Sequence, residues 1–279
     1  MRRRKLVNRL FVGVATLAAL LAVAVLALVV GSVFLKGAAA LNWDFFTKGP
    51  ATFGQSGGGI APALLGTLLL VALATAMALP VGVLVAIWAS EFAPPGLTRS
   101  MRLVLDVING IPSIVIGIFV FALLVLGHRQ SAYAGSFALA VIMLPLIGRA
   151  TMEVLALVPP HLREASFALG VPRWRTVLQV VLPTTVGGIL TGTTLAVARA
   201  AGETAPLLFT CAIASQTVSF SPGQAVMSIP VFIFEASESP DPAQHAQAWA
   251  AAFVLIAFVL LSSISARALL ARQRRKLGV

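Results

Sequence analysis

Charge is what this chain has least of. Only 10% of its 279 residues are Asp, Glu, Lys or Arg, while 59% are hydrophobic and the mean hydropathy is +0.98. A soluble domain of this size cannot hide so much apolar surface, so the lipid bilayer is read as its solvent. Cysteine is nearly absent. Cys211 stands alone in an apolar run, which excludes an internal disulfide framework and a cysteine-based metal cluster. The three histidines, His128, His161 and His245, fall in separate loops without ligand partners, so no metal site is assigned. The chain lacks a phosphate-cradling glycine-lysine loop and is not expected to hydrolyse ATP. No nucleophile–base pair converges either, so it is not read as an enzyme. Internal repeats and a separate soluble domain are also missing.

What is there is a set of long apolar runs. Six reach the length of about 20 residues that a hydrocarbon core of about 30 Å requires. They fall at 10–35, 60–89, 103–126, 135–158, 184–214 and 249–268. The expected fold is therefore all-α, a polytopic membrane protein with six transmembrane helices. The first run follows Arg2–Lys5 and precedes Ala38-Ala39-Ala40, as a signal peptide would. Its apolar stretch far exceeds the roughly 7–15 residues of such a segment, and a retained anchor is favoured.

Basic residues set the topology. With the N-terminus inside, fifteen of the twenty lysines and arginines fall on the cytoplasmic side, including Arg99, Arg102, Arg163, Arg173, Arg175 and Arg267. Lys36, Lys48 and Arg129 fall outside, and Arg149 and Arg199 fall within spans. This positive-inside asymmetry puts both termini in the cytoplasm. The net charge of +11 thus reads as anchoring to anionic membrane lipid and not as nucleic-acid binding. Residues 1–59 read as an anchor helix and extracytoplasmic loop, 60–268 as the transmembrane domain, and 269–279 as a basic cytoplasmic tail. The 36–59 loop ends in a flexible Gly- and Ser-rich lead (54–59), and 215–248 is a turn-rich loop whose 229–234 segment is apolar enough to dip into the interface.

Charges inside the spans are the candidate functional groups. Arg199 lies near the middle of the fifth, followed by Gly202, Glu203 and Pro206. A charge at that depth costs about 2.5–3.5 kcal/mol on insertion scales and generally faces a bundle interior or a wet cavity. Pro206 denies a hydrogen bond to the Gly202 carbonyl and predicts a break there. Irregular backbone at membrane depth survives only against protein or water. A cation, an anion and freed backbone groups together suit a path for a charged solute; the alternative is an Arg199–Glu203 pair that merely joins helices. Arg149 on the fourth span is open between the path and a scaffold, because Glu153 lies four residues on and the side chain can snorkel. If both arginines share a cavity with Glu203, the site stays positive and favours a small anion, and arginine's planar fork suits a tetrahedral oxyanion. Gly110, Pro112 and Ser113 predict a broken third span, either a hinge or gate or a static kink. Gly188 and Gly192 form a small-xxx-small pair, for helix packing or a dimer contact.

One polar loop, 159–183, is organised. A short helix is predicted from His161 to Leu169, Gly170 to end it in the left-handed conformation, and Pro172 to open a second helix. It reads as a surface built to be gripped by a partner.

At every offset this loop resembles the cytoplasmic signature of ATP-binding-cassette importer permeases: Glu-Ala-Ala, three residues, Gly, nine residues, Ile, one residue, Leu-Pro. Here these are Glu164-Ala165-Ser166, Gly170, Val180 and Leu182-Pro183, with Ser166 and Val180 departing from the pattern. Arg199-Ala200-Ala201-Gly202-Glu203-Thr204-Ala205-Pro206-Leu207-Leu208 is similar to the fifth span of phosphate importer permeases of the PstA kind, as are Gly59-Ile60 with Gly66-Thr67, Gly110 to Ile114, and Arg149. The resemblance covers roughly 58–267. It implies a MetI-like type I importer core in the bacterial inner membrane. It also implies a second permease, two cytoplasmic ATPase subunits that bind ATP and Mg, and an extracytoplasmic phosphate-binding protein. This chain itself would carry no cofactor. Arg149, Arg199 and Glu203 would lie along the route. Arg163, Glu164, Ala165, Ser166, Leu169, Gly170, Leu182 and Pro183 would couple to the ATPase. Sulfate, molybdate or a phosphonate is the alternative cargo. A secondary transporter or channel has no use for such a loop.

Overall fold

The computed structural model describes residues 2–51, 57–212 and 221–277, with only the backbone course given for 2, 266 and 269–277. Part of the expected Gly- and Ser-rich lead (54–56), the last two residues of the expected fifth span, the first residues of the 215–248 loop and the end of the basic tail lie outside the described residues. The described residues are helical or irregular throughout. Helix α1 (Arg2–Gly37) runs from the N-terminus, and a short turn leads to α2 (Trp43–Thr47), capped by the Asn42 side chain accepting from the Phe45 amide at 2.8 Å. Helix α3 (Ala61–Ile87) starts with Pro62 in its first turn and ends in a π turn, Trp88–Phe92. Then come α4 (Pro95–Gly110), α5 (Ser113–Val120) with a second π turn (Phe121–Val125), and α6 (Ala132–Ala156), capped by Ser131. After α6 lie α7 (Pro160–Ala168) and α8 (Arg173–Thr176). A third π turn (Val177–Val181) carries α8 without interruption into α9 (Leu182–Ala201). The chain closes with α10 (Ala205–Thr210), α11 (Ile229–Glu238) and α12 (Pro242–Leu277).

Among the described residues, five helical stretches are long and apolar enough to cross a membrane, and a sixth crossing exists if the bent pair α4 and α5 is one span. The centre is α6, packed against α3 on one side and α9 on the other, with Leu70, Ala78, Leu139, Met143, Ile147, Ala196 and Ala200 fully buried between them. Small residues bring these helices close. A Cβ on Gly188 would lie 2.5 Å from the Val154 side chain, and Gly192 abuts Ala150 in the same way. The glycine pair therefore packs within this chain, which settles its role without a dimer. Helices α11 and α12 form a second cluster, joined by α1, where Phe34 stacks on Phe253 at 5.0 Å and Lys36 sits 4.4 Å over Trp249. Most of α1 is exposed apolar surface.

Two expectations about spans need refining. The third span is not one straight helix from 103 to 126: α4 and α5 meet at 91°. Pro112 forces Ile111 into an extended conformation (φ −69°, ψ 131°), so the helix cannot continue through it. The half before the bend is amphipathic and carries Arg99, Arg102 and Asp106. The fifth span is not continuous either. Its helix begins at Arg173, inside the expected loop, stops at Ala201 and resumes as α10. Segment 229–234 belongs to α11, and Ile229, Val231 and Phe232 are buried against α3 and α12. The Thr67 hydroxyl accepts from the Ile229 amide at 2.8 Å and pins the start of α11 to α3.

Candidate translocation site and coupling surface

Register decides where Arg199 sits. Gly188 opposes Val154 and Gly192 opposes Ala150, so the antiparallel pairing sets Arg199 level with Met143, half way along α6. The helix breaks three residues later, at Gly202 to Thr204, and Pro206 lies in the first turn of α10. Gly202 and Glu203 donate to the Arg199 and Ala200 carbonyls at 3.0 and 3.2 Å, closing α9 with a tight turn. That turn points Glu203 back at Arg199, 3.5 Å between Nε and Oε1. The two are not equally covered: the Arg199 side chain is 48% exposed and the Glu203 side chain 15%. A half-exposed guanidinium at mid-depth cannot face hydrocarbon without the cost that insertion scales assign, so this flank must meet water or another protein. It is the one part of the expected path where charge, broken backbone and exposure coincide.

Arg149 stands apart. It lies six residues along α6 from Met143, about 9 Å nearer the end of the bundle that carries α7. It pairs with Asp106 of α4 at 3.0 Å and with Glu153 at 3.6 Å. Two carboxylates surround one guanidinium, so the group is not the positive partner of Arg199 that a shared cavity requires. The structure gives each arginine its own acidic neighbours and does not bring them together. Of the residues read as hinge or gate, Gly110 and Pro112 flank the 91° bend and Ser113 opens α5, while Gly202 and Pro206 flank the break after α9. The two sites meet, because a Cβ on Gly117 of α5 would stand 2.6 Å from the Pro206 Cα.

The loop from 159 to 183 folds as a helix, a left-handed turn and a second helix. Gly170 has φ +76°, its amide donates to the Phe167 carbonyl at 2.9 Å, and the Val171 amide donates to Ser166 at 3.2 Å. This paired arrangement is the Schellman closure that the glycine predicts. The π turn precedes Pro183, whose ring cannot donate and crowds the carbonyl four residues back; the wider turn takes up that conflict. Glu164 and Ala165 are exposed, Leu169 is 83% exposed, and Phe167 and Trp174 present further apolar surface.

Two members of the expected coupling set face the other way. Ser166 is buried, its hydroxyl 2.8 Å from that of Thr176, tying α7 to α8. Arg163 turns inward too. Its Nε and one terminal nitrogen bind both carboxylate oxygens of Glu91 at 3.2 and 2.6 Å, and its donors also reach the Val158 and Leu155 carbonyls at 2.8 and 3.0 Å. A guanidinium so engaged has little left for a partner subunit. The buried Glu91 carboxylate and the Leu155 and Val158 carbonyls draw it in.

Residues 78–275 match the family model for the binding-protein-dependent transport system inner membrane component. This chain belongs to that family. Among its permease relatives is the phosphate transport system permease protein PstA of Xylella fastidiosa (strain Temecula1), 39% identical over 98% of this chain and 96% of that one. Another is its namesake in Pasteurella multocida, 37% identical over 95% and 94%. Solved structures share the fold. An ABC transporter for import of the polysaccharide alginate aligns over 98% of this chain and 99% of its own, with TM-score 0.62 and 16% identity. The MetNI methionine ABC transporter, inward facing, aligns over 77% and 94%, with TM-score 0.58 and 19% identity. The protein is thus a multi-pass inner-membrane transport component with a MetI-like all-helical core.

Reading the family's permease signature from sequence located the loop but missed two residues that hold it, and the carboxylate on another helix that pairs with Arg149. Glu91, Thr176 and Asp106 are partners of Arg163, Ser166 and Arg149. Glu91 carried a usable signal, being the only charged residue between Lys48 and Arg99. A lone carboxylate at the end of an apolar run needs a cation, although sequence alone does not say which.

Proposed function

We propose that this chain is the permease subunit of an ATP-driven inorganic phosphate importer, forming half of the translocation path. The observation that carries the reading is Arg199, half-exposed at mid-depth beside a broken helix with a single, better-covered carboxylate as its neighbour. Such a group offers a fork of donors to a tetrahedral oxyanion. The PstA relatives support phosphate as that oxyanion. The exposed flank of Arg199 is where a second permease of the same fold completes the path. The exposed apolar tip of α7 and α8 docks into one of two cytoplasmic ATPase subunits, and an extracytoplasmic phosphate-binding protein delivers cargo to the opposite end. Both termini and α7 face the cytoplasm, in keeping with the basic residues gathered on that side.

In the working cycle, ATP binding by the partner ATPases shifts α7 and opens the path outward. Arg199 offsets part of the dehydration cost of the entering anion, and Glu203 keeps the site from binding too tightly to release it. Arg149, held by Asp106 and Glu153, contributes as part of the path's wall nearer the cytoplasm. ATP hydrolysis restores the inward-facing form.

The test is reconstitution of the complex in proteoliposomes with ATP inside the coupled compartment and labelled phosphate on the other side. Phosphate uptake that sulfate, molybdate and phosphonates fail to compete supports the reading. Uptake competed equally by one of those anions reassigns the cargo, and uptake that persists without any ATPase refutes the transporter class.

A further inference from the structure

The π turn Trp88–Phe92 at the end of α3 is tied to three other helices. From α7, the Arg163 guanidinium donates to both carboxylate oxygens of Glu91, 72 residues away in sequence, and the Glu91 side chain is only 7% exposed. The same guanidinium holds the Leu155 carbonyl in the last turn of α6 and the Val158 carbonyl just beyond it. From α8, the Arg173 guanidinium lies 5.6 Å over the Phe92 ring. From α4, the Thr98 hydroxyl donates to the Ala89 carbonyl at 2.7 Å, and Ala86, Ala89 and Leu105 pack together in one buried cluster with Met152. A displaced α7 therefore cannot move without pulling on this turn, and the turn cannot move without pulling on α4.

What lies beyond α4 gives that linkage a destination. Its far end is the 91° bend at Gly110 to Pro112, after which α5 crosses α10 with Gly117 against Pro206, next to the break that holds Arg199 and Glu203. π turns are weak points in a helix, with one hydrogen bond spread over a wider ring, and they recur at functional positions. We propose that the Glu91–Arg163 pair is a positioning strut: it transmits movement of the ATPase-facing helix α7 through the π turn and α4 to the gate at α5 and α10. Neither residue touches cargo or nucleotide in this scheme. The strut deepens the importer reading above and rests on it for the direction of the motion.

Bidentate geometry makes the strut stiff. Two parallel hydrogen bonds fix both distance and orientation, which one contact through lysine does not. A neutral Glu91→Gln side chain keeps the volume and loses the charge-assisted fork. The expected consequence is slack between α7 and α5.

The experiment uses the whole complex, with Cys211→Ala as background and Ile114→Cys on the exposed face of α5 as a reporter. The rate of thiol labelling is compared with and without ATP trapped by vanadate. In the parent complex, trapped nucleotide should change that rate about fivefold or more. In Glu91→Gln and in Arg163→Lys the change should shrink to less than twofold, while the ATPase still co-purifies. An undiminished nucleotide response in both single variants overturns the strut, as does a parent complex whose α5 ignores nucleotide. Labelling needs no cargo, so a complex that fails to move phosphate but shows the expected labelling pattern refutes the cargo and leaves the strut standing.

Discussion

Replacing Arg199 by Gln tests the electrostatics of the path most directly. A guanidinium about 4 Å from an oxyanion in surroundings of effective dielectric near 20 contributes about 4 kcal/mol of attraction. Gln removes that attraction and also strands Glu203, which lies 3.5 Å from the guanidinium and is 15% exposed, so a passing anion then meets an unopposed carboxylate. At about 1.4 kcal/mol per factor of ten, uptake should fall roughly a thousandfold. Membrane insertion should not suffer, since the substitution removes a charge that costs about 2.5–3.5 kcal/mol at that depth. The assay is initial uptake of labelled phosphate by the reconstituted complex, with co-purification of the ATPase as the assembly control. The sign of a second change sharpens the test. Glu203→Gln in the Arg199→Gln background removes the repulsion and should raise uptake above the single variant. Uptake by Arg199→Gln within threefold of the parent, or a double variant worse than the single, would refute the reasoning.

Three further outcomes follow from the packing. Gly117→Leu should abolish uptake in an assembled complex, because its Cβ would meet the Pro206 backbone at 2.6 Å and overpacking at such a crossing costs about 1–3 kcal/mol. Gly170→Val should lower the yield of co-purified ATPase: Gly170 sits at φ +76°, where a β-branched residue loses about 1–2 kcal/mol, and the turn between α7 and α8 opens. In thermal unfolding of the purified complex, Thr176→Val should cost more than Ser166→Ala. Thr176 keeps a second acceptor in the Pro172 carbonyl at 3.4 Å, whereas Ser166 loses the only partner its buried hydroxyl has among the described residues; equal effects would speak against the buried pair.

Much of the fold was legible because membrane helices announce themselves by length and composition. The second and fourth spans come out close to where the apolar runs put them, as α3 and α6. Gly170 and Pro172 marked the turn correctly because each restricts the backbone locally, and no distant contact is needed to know it. The third and fifth spans were harder. Pro112 and Pro206 signalled breaks, but the 91° bend and the helix running back to Arg173 depend on what α4 and α8 pack against. The site divides the same way. Arg199 and Glu203 are four residues apart on one strip of chain, so their pairing was readable. Arg149 with Asp106, Ser166 with Thr176 and Arg163 with Glu91 join different helices, and the last two reverse the direction expected of a partner-facing surface.

Sequence by itself determined that this chain lives in a bilayer, crosses it as helices, carries an arginine deep within an apolar run and ends one loop helix at Gly170. These are local properties: hydropathy summed over a span, a charge with no solvent, a glycine free to adopt positive φ. Tertiary structure alone decided which arginine remains half-exposed and which is surrounded by carboxylates, and that Arg163 reaches inward to Glu91. Charged side chains in a low-dielectric bundle take whichever opposite charge the packing brings within about 4 Å, and that depends on helix register and crossing, not on their spacing along the chain.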